Sequence, residues 1–274
     1  MRSQDQLWCR RQSNDGDAVN LTDPRNIKLT LQYDGTDFAG YEIQPGKKTI
    51  RGELEKALYK LFKTKIKTVS TSRTDSGVHA ICQVINFQLN RNIPTERIVA
   101  ALNSTLPETI RIQKAEDVPA DFYSRYAAKS KEYEYLIFNG RIVPPFLKGY
   151  VWQVKPKLDL KKMRQAAVIL KGEHDFKSFC AAKSDDTDFV RTLSKISVRT
   201  RKIKIWEETP VISLSFEGDG YLYKMVRNLV GLLVEVGLGQ KTMKDVRQIL
   251  KAKDRREAGK CAPAQGLCLV KINY

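Results

Sequence analysis

"TLSKISVRTRKIKIWEETPVISLSFEG", residues 192–218, contains two strand-like runs, 192–206 and 210–218, joined by Glu207, Glu208 and Thr209 alone. A parallel pair needs a long crossover, so a connection this short requires the two runs to lie antiparallel. Further strand-like runs stand at 27–33, 82–89, about 109–117, about 124–138 and 266–274. Between them lie helical patterns. Ile50, Leu54, Leu58 and Leu61 recur at near-helical spacing in 49–63, with Thr49 placed to cap. Pro94 and Thr95 open a second helix over 94–106, and three more cover 159–171, 222–237 and 242–252. Mixed elements with short strand-to-strand links predict an α+β fold, a largely antiparallel mixed sheet flanked by helices.

Pro144 and Pro145 mark a boundary. The expected organisation is a flexible polar N-terminal extension at 1–26 and two halves of similar size, 27–150 and 151–274, meeting at a basic cleft. Residues 1–26 hold four Arg and four Asp and no apolar core, which excludes a signal peptide and an acid-poor transit peptide. The most apolar run, 229–239, is too short to span a bilayer and carries Glu235.

Among 274 residues, 48 Lys and Arg oppose 31 Asp and Glu, a formal charge of +17. So large an excess is ordinarily offset by a polyanionic partner, nucleic acid before an anionic membrane. Basic clusters at 63–67, 155–164, 199–204 and 251–256 spread through the folded region, so the charge belongs to a face of the fold. The five cysteines (9, 82, 180, 261, 268) are widely spaced without a Cys-x-x-Cys pair, which points to reduced thiols and a cytoplasmic setting. With only His79 and His174, a structural zinc site has poor material.

Chemistry concentrates in "SRTDSGVHA", 72–80, and "YKMVRNLVG", 223–231. Asp75 precedes Ser76-Gly77, where the chain can turn sharply. Ser76 and His79 are close in sequence, but no third residue orients them as a triad. The helix over 222–237 is apolar nearly all round and therefore buried, yet it carries Arg227, on the face expected to hold Tyr223, Val230 and Val234. A buried guanidinium needs an anion, because leaving it unpaired costs several kcal/mol. A structural salt bridge would answer that need. A carboxyl group held beside such an arginine is also kept in its charged form, suited to act as nucleophile or base.

Seven segments, "YDGTDFAGYEIQP" (33–45), "TIRGELEKAL" (49–58), "SRTDSGVHA" (72–80), "KEYEYLIFN" (131–139), "GEHDFKSF" (172–179), "YKMVRNLVG" (223–231) and "PAQGLCL" (263–269), occur in this order. Together they resemble the TruA family of tRNA pseudouridine synthases over about residues 27–274. The resemblance implies a homodimeric isomerase that turns uridine into pseudouridine in the anticodon stem-loop of tRNA, at positions 38, 39 and 40. It also implies a redox-neutral reaction that needs no metal or other cofactor. It makes Asp75 the catalytic residue, places Arg73 to help displace the target base, stacks Tyr133 on the uracil, and pairs Arg227 with Asp75. Where the family pattern reads Gly-Arg-Thr-Asp-Ala, this chain has Ser72 and Ser76 at the flanking places. Tyr41-Glu42 stands where Trp-Gln is common, and the acidic 183–189 lies where an approach to RNA is expected.

Two other readings compete. The charge alone equally predicts an RNA-binding module or tRNA chaperone without turnover. A small-molecule hydrolase lacks a triad, a metal cluster and a phosphate loop.

Overall fold

In the computed structural model, residues 24–182, 184, 186–202 and 210–274 are described. The chain runs through strand β1 (Arg25–Tyr33), helix α1 (Ile50–Phe62), β2 (Val69–Ser70), β3 (His79–Leu89), α2 (Thr95–Thr105), β4 (Ile110–Val118) and α3 (Ser124–Ala127). It continues through β5 (Ser130–Phe138), β6 (Trp152–Gln153), α4 (Leu160–Leu170), β7 (Gly172–Asp175), β8 (Val190–Lys202), β9 (Pro210–Gly218), α5 (Met225–Gly237), α6 (Met243–Ala252) and β10 (Leu267–Asn273).

The described strands form one sheet in the order β4-β1-β3-β10-β5-β9-β8-β7, with β2 on β3 and β6 on β5. Its pairs are antiparallel except β10 with β3 and β6 with β5. The fold is thus α+β with a mixed, mostly antiparallel sheet, as the sequence predicts. The β8–β9 pair is antiparallel from Leu193↔Gly218 to Lys202↔Pro210. The tip joining them, 203–209, lies outside the described residues, as does most of the N-terminal extension, 1–23.

Local signals explain the helix starts. Thr49 Oγ1 accepts from the Gly52 N–H at 3.2 Å to cap α1, and Asp159 caps α4 by accepting from Lys161 and Lys162. α6 opens with a capping box between Thr242 and Asp245.

The run expected as one strand over 124–138 is divided in two. Ser124 is fully buried, its N–H donates to Asn86 Oδ1 at 2.9 Å and its hydroxyl to the Val69 carbonyl at 2.9 Å. Those bonds hold a single helical turn, α3, so pairing begins only at Ser130. The helix expected from 222 begins at Met225, because Lys224 takes a left-handed conformation at φ 60°. Tyr223 therefore precedes the helix and does not share the face of Arg227.

One large apolar core runs along the sheet from β1 and α1 to α5 and α6. The last strand, β10, lies in mid-sheet between β3 and β5, joining early and late parts of the chain.

Candidate active site

Every residue of α5 is buried except Arg227 and Glu235. Arg227 Nε donates to the Ala262 carbonyl at 2.8 Å, and the Ala262 N–H donates to the Arg227 carbonyl at 3.1 Å. The extended segment at 262 thereby grips both the backbone and the side chain of the arginine. Its Nη1 then points at Asp75, donating to Oδ2 at 2.9 Å, with both side chains 14% exposed.

Asp75 stands in the loop between β2 and β3, which is tied down on several sides. The Tyr41 N–H donates to the Thr74 carbonyl at 3.0 Å, and the Thr74 hydroxyl meets the Tyr33 hydroxyl at 2.8 Å. Gln83, fully buried on β3, accepts from the Ser72 N–H at 3.3 Å and donates to the Ser72 carbonyl at 2.7 Å. Gly77 turns the chain at φ 75°, a left-handed value that favours glycine. Ser76 Oγ donates to the Phe38 carbonyl at 3.1 Å. His79 Nδ1 accepts from the Gly35 N–H at 3.1 Å, while Nε2 faces the Gly149 carbonyl at 3.2 Å. Serine and histidine are each committed elsewhere, and no nucleophilic dyad forms between them.

Tyr133 rises from β5 and is 6% exposed. Its hydroxyl lies 2.6 Å from Ser72 Oγ, and its ring meets that of Tyr221 edge-on at 5.0 Å. Burial pushes its phenol up to about 12, against a smaller opposing pull from Ser72. Arg73 is the outermost of the four expected site residues, with its side chain 63% exposed. Its Nε lies 3.2 Å from Glu42 Oε1, and Arg51 holds the other oxygen of Glu42 at 2.9 Å.

Arg73, Asp75, Tyr133 and Arg227 all line one cavity of about 560 Å³. That volume suits a ligand of nucleoside size. Ser184 and Asp186 form part of its wall. The acidic stretch over 183–189 therefore borders the site, although Lys183 and Asp185 lie outside the described residues.

Three neighbours of the site go beyond what the sequence predicts: Ser72 through its bond to Tyr133, Glu42 as the partner of Arg73, and Lys131 in the cavity wall. Lys131 had a readable signal: it precedes Tyr133 by two on an alternating strand, which puts both on one face.

A family model described as tRNA pseudouridine synthase matches residues 30–127 and 166–274. The chain belongs to the tRNA pseudouridine synthase family. It is 44% identical over 244 residues to the tRNA pseudouridine synthase A of Halalkalibacterium halodurans, covering 89% of this chain and 90% of that one. To the enzyme of the same name from Thermoanaerobacter sp. it is 40% identical over 250 residues, covering 91% and 100%. A third relative, from Bacillus licheniformis, is 43% identical over 251 residues, with 90% and 98% covered. The family match includes Arg73, Asp75 and Arg227, while Tyr133 and Lys131 fall between its two segments.

Proposed function

We propose that this chain is a tRNA pseudouridine synthase whose catalytic residue is Asp75. The observation that carries the reading is the Asp75–Arg227 ion pair, 2.9 Å long, in the wall of a nucleoside-sized cavity that Tyr133 and Arg73 also line. The reaction breaks the bond from ribose C1′ to uracil N1, turns the base, and forms a bond from C1′ to C5. A proton leaves C5 and N1 gains one, so substrate and product are isomers and no electrons are exchanged.

A paired uridine must leave its stack before a carboxylate can reach it, which costs a few kcal/mol. Tyr133 offers a ring on which the extruded base stacks, returning roughly 1–3 kcal/mol. Arg73, at the mouth, helps displace the base from the helix. Arg227 holds Asp75 in place and in charge balance, leaving Oδ1 to act as nucleophile or base toward the nucleotide. The substrate region is the anticodon stem-loop at positions 38 to 40, reached by a cytoplasmic homodimer that binds RNA through its basic face.

The test uses tRNA labelled with tritium at uridine C5. The purified protein should release tritium to water without an added cofactor. Asp75→Ala should abolish release while binding tRNA within several-fold of the parent. Continued turnover by that variant would remove Asp75 from its role, and an inactive parent that still binds tRNA would favour an RNA-binding module.

A further inference from the structure

Lys131 lies in the wall of the same cavity, and its ammonium donates to the Thr71 carbonyl at 2.8 Å. An ammonium has three donors, so this bond leaves two unspent. Among the described residues it forms no ion pair with a carboxylate. Its charged surroundings are mainly of its own sign: Arg125 from α3 and Arg191 from β8, opposed by Asp219 beyond β9. Burial, reinforced by the two arginines, pushes the ammonium down to about 8. The cavity wall as a whole carries Arg73, Arg125, Lys131, Lys224 and Arg227 against Asp75 and Asp186. Asp75 is already spent on Arg227, and Asp186 lies 3.9 Å from Arg191. A half-buried cation in that company is best met by an anion, and a neutral uracil oxygen does not supply one.

We propose that Lys131, with Arg125 beside it, seats a backbone phosphate of the RNA, the one adjoining the uridine whose base enters the cavity. The proposal rests on the reading that a uridine of RNA occupies this site. Phosphate offers several acceptor oxygens, enough to take the two free donors of Lys131 and still face Arg125. Because Lys131 also holds Thr71, the phosphate contact reaches the backbone immediately ahead of Ser72-Arg73-Thr74-Asp75. Seating the phosphate thereby steadies the loop that carries the carboxylate.

The experiment measures binding of unmodified tRNA across salt and pH. Lys131→Met should weaken binding about tenfold, the scale of one charge-assisted bond. It should also flatten the salt dependence by about 0.7 log units per log unit of salt, the share of one single-strand phosphate. Lys131→Arg should keep both. Affinity of the parent should fall as pH rises from 7 to 9, because a lysine that has lost its proton no longer attracts phosphate. The arginine variant should be flat over that window. The charged groups around Lys131 are Arg125, Arg191 and Asp219, and the phenol of Tyr221, whose hydroxyl donates to the Lys131 carbonyl, is raised well above its ordinary range by burial.

The RNA supplies a second arm that leaves the protein intact. A neutral methylphosphonate beside the target uridine should weaken binding by the parent and add no further loss in Lys131→Met. An unchanged salt slope in that variant, or an undiminished methylphosphonate penalty, would overturn the proposal and leave Lys131 only pinning Thr71. Failure of the parent to release tritium would sink the catalytic reading separately, since these measurements read binding alone.

Discussion

Ser72 shows how one hydroxyl can couple the loop that carries Asp75 to a neighbouring strand. Its backbone is fixed from both sides by Gln83, and its side chain meets the phenol of Tyr133 at 2.6 Å in a buried setting. The phenol, pushed up to about 12, stays protonated through the neutral range, so Tyr133 turns a neutral ring and not a phenolate toward the cavity. Ser72→Ala and Tyr133→Phe delete the same bond from opposite ends. Each should cost about 1 kcal/mol in urea unfolding, and the double variant should cost little more than either alone. Additive losses would mean that the two hydroxyls act independently. At this scale the sequence was informative where chemistry forced a choice. A lone arginine on an apolar helix demanded an anion, and the structure places Asp75 against it. The Ser72–Tyr133 bond was not legible, because it spans 61 positions and either hydroxyl could have been satisfied by water or backbone.

At the scale of elements, α5 was readable because apolar residues on all its faces leave it no place but the interior. The segment that grips it was not. Residues 259–262 have no periodicity, yet they approach α5 closely enough that a Cβ on Gly231 would lie 1.8 Å from the Lys260 carbonyl oxygen. Glu235 accepts from the Lys260 N–H at 3.1 Å, and Arg255 bridges the Gly259 carbonyl and Asn228 on the helix. Backbone cannot move aside as a flexible side chain would. Gly231→Ala should therefore lift the segment off α5, at about 1–3 kcal/mol of stability. Ala262 would lose its hold on Arg227, so kcat should fall further than the lost folded fraction accounts for. Gly149→Ala is the control: a Cβ there meets nothing within 4 Å, and its effect should stay within about 0.5 kcal/mol. Equal behaviour of the two variants in melts and in turnover would dismiss the segment as a support of the site.

For the whole molecule, short connections announced antiparallel pairing, but they could not disclose which distant strands become neighbours. The parallel contact of β10 with β3 joins Cys268 to His79, and no local pattern encodes a pairing of that separation. It matters for the expected division at residue 150. β5 belongs to the N-terminal half by position, yet its neighbours in the sheet are β10 and β9, both from the C-terminal half. β3 likewise has β10 on the side away from β1. A fragment ending at residue 150 keeps β4, β1 and β3 together but strips β5 of both long partners, leaving its backbone donors and acceptors without their ladder. Tyr133 and Lys131 would leave the cavity with it. The two fragments, 24–150 and 151–274, should therefore each lack the cooperative unfolding of the intact chain. The amides of 130–138 should exchange freely in the first fragment and regain protection only when the second is added. Protected β5 amides in the isolated first fragment would show that the halves fold independently. The candidate site would then form by docking of finished domains, whereas the continuous sheet argues that Asp75 and Arg227 come together only as the whole sheet closes around β10.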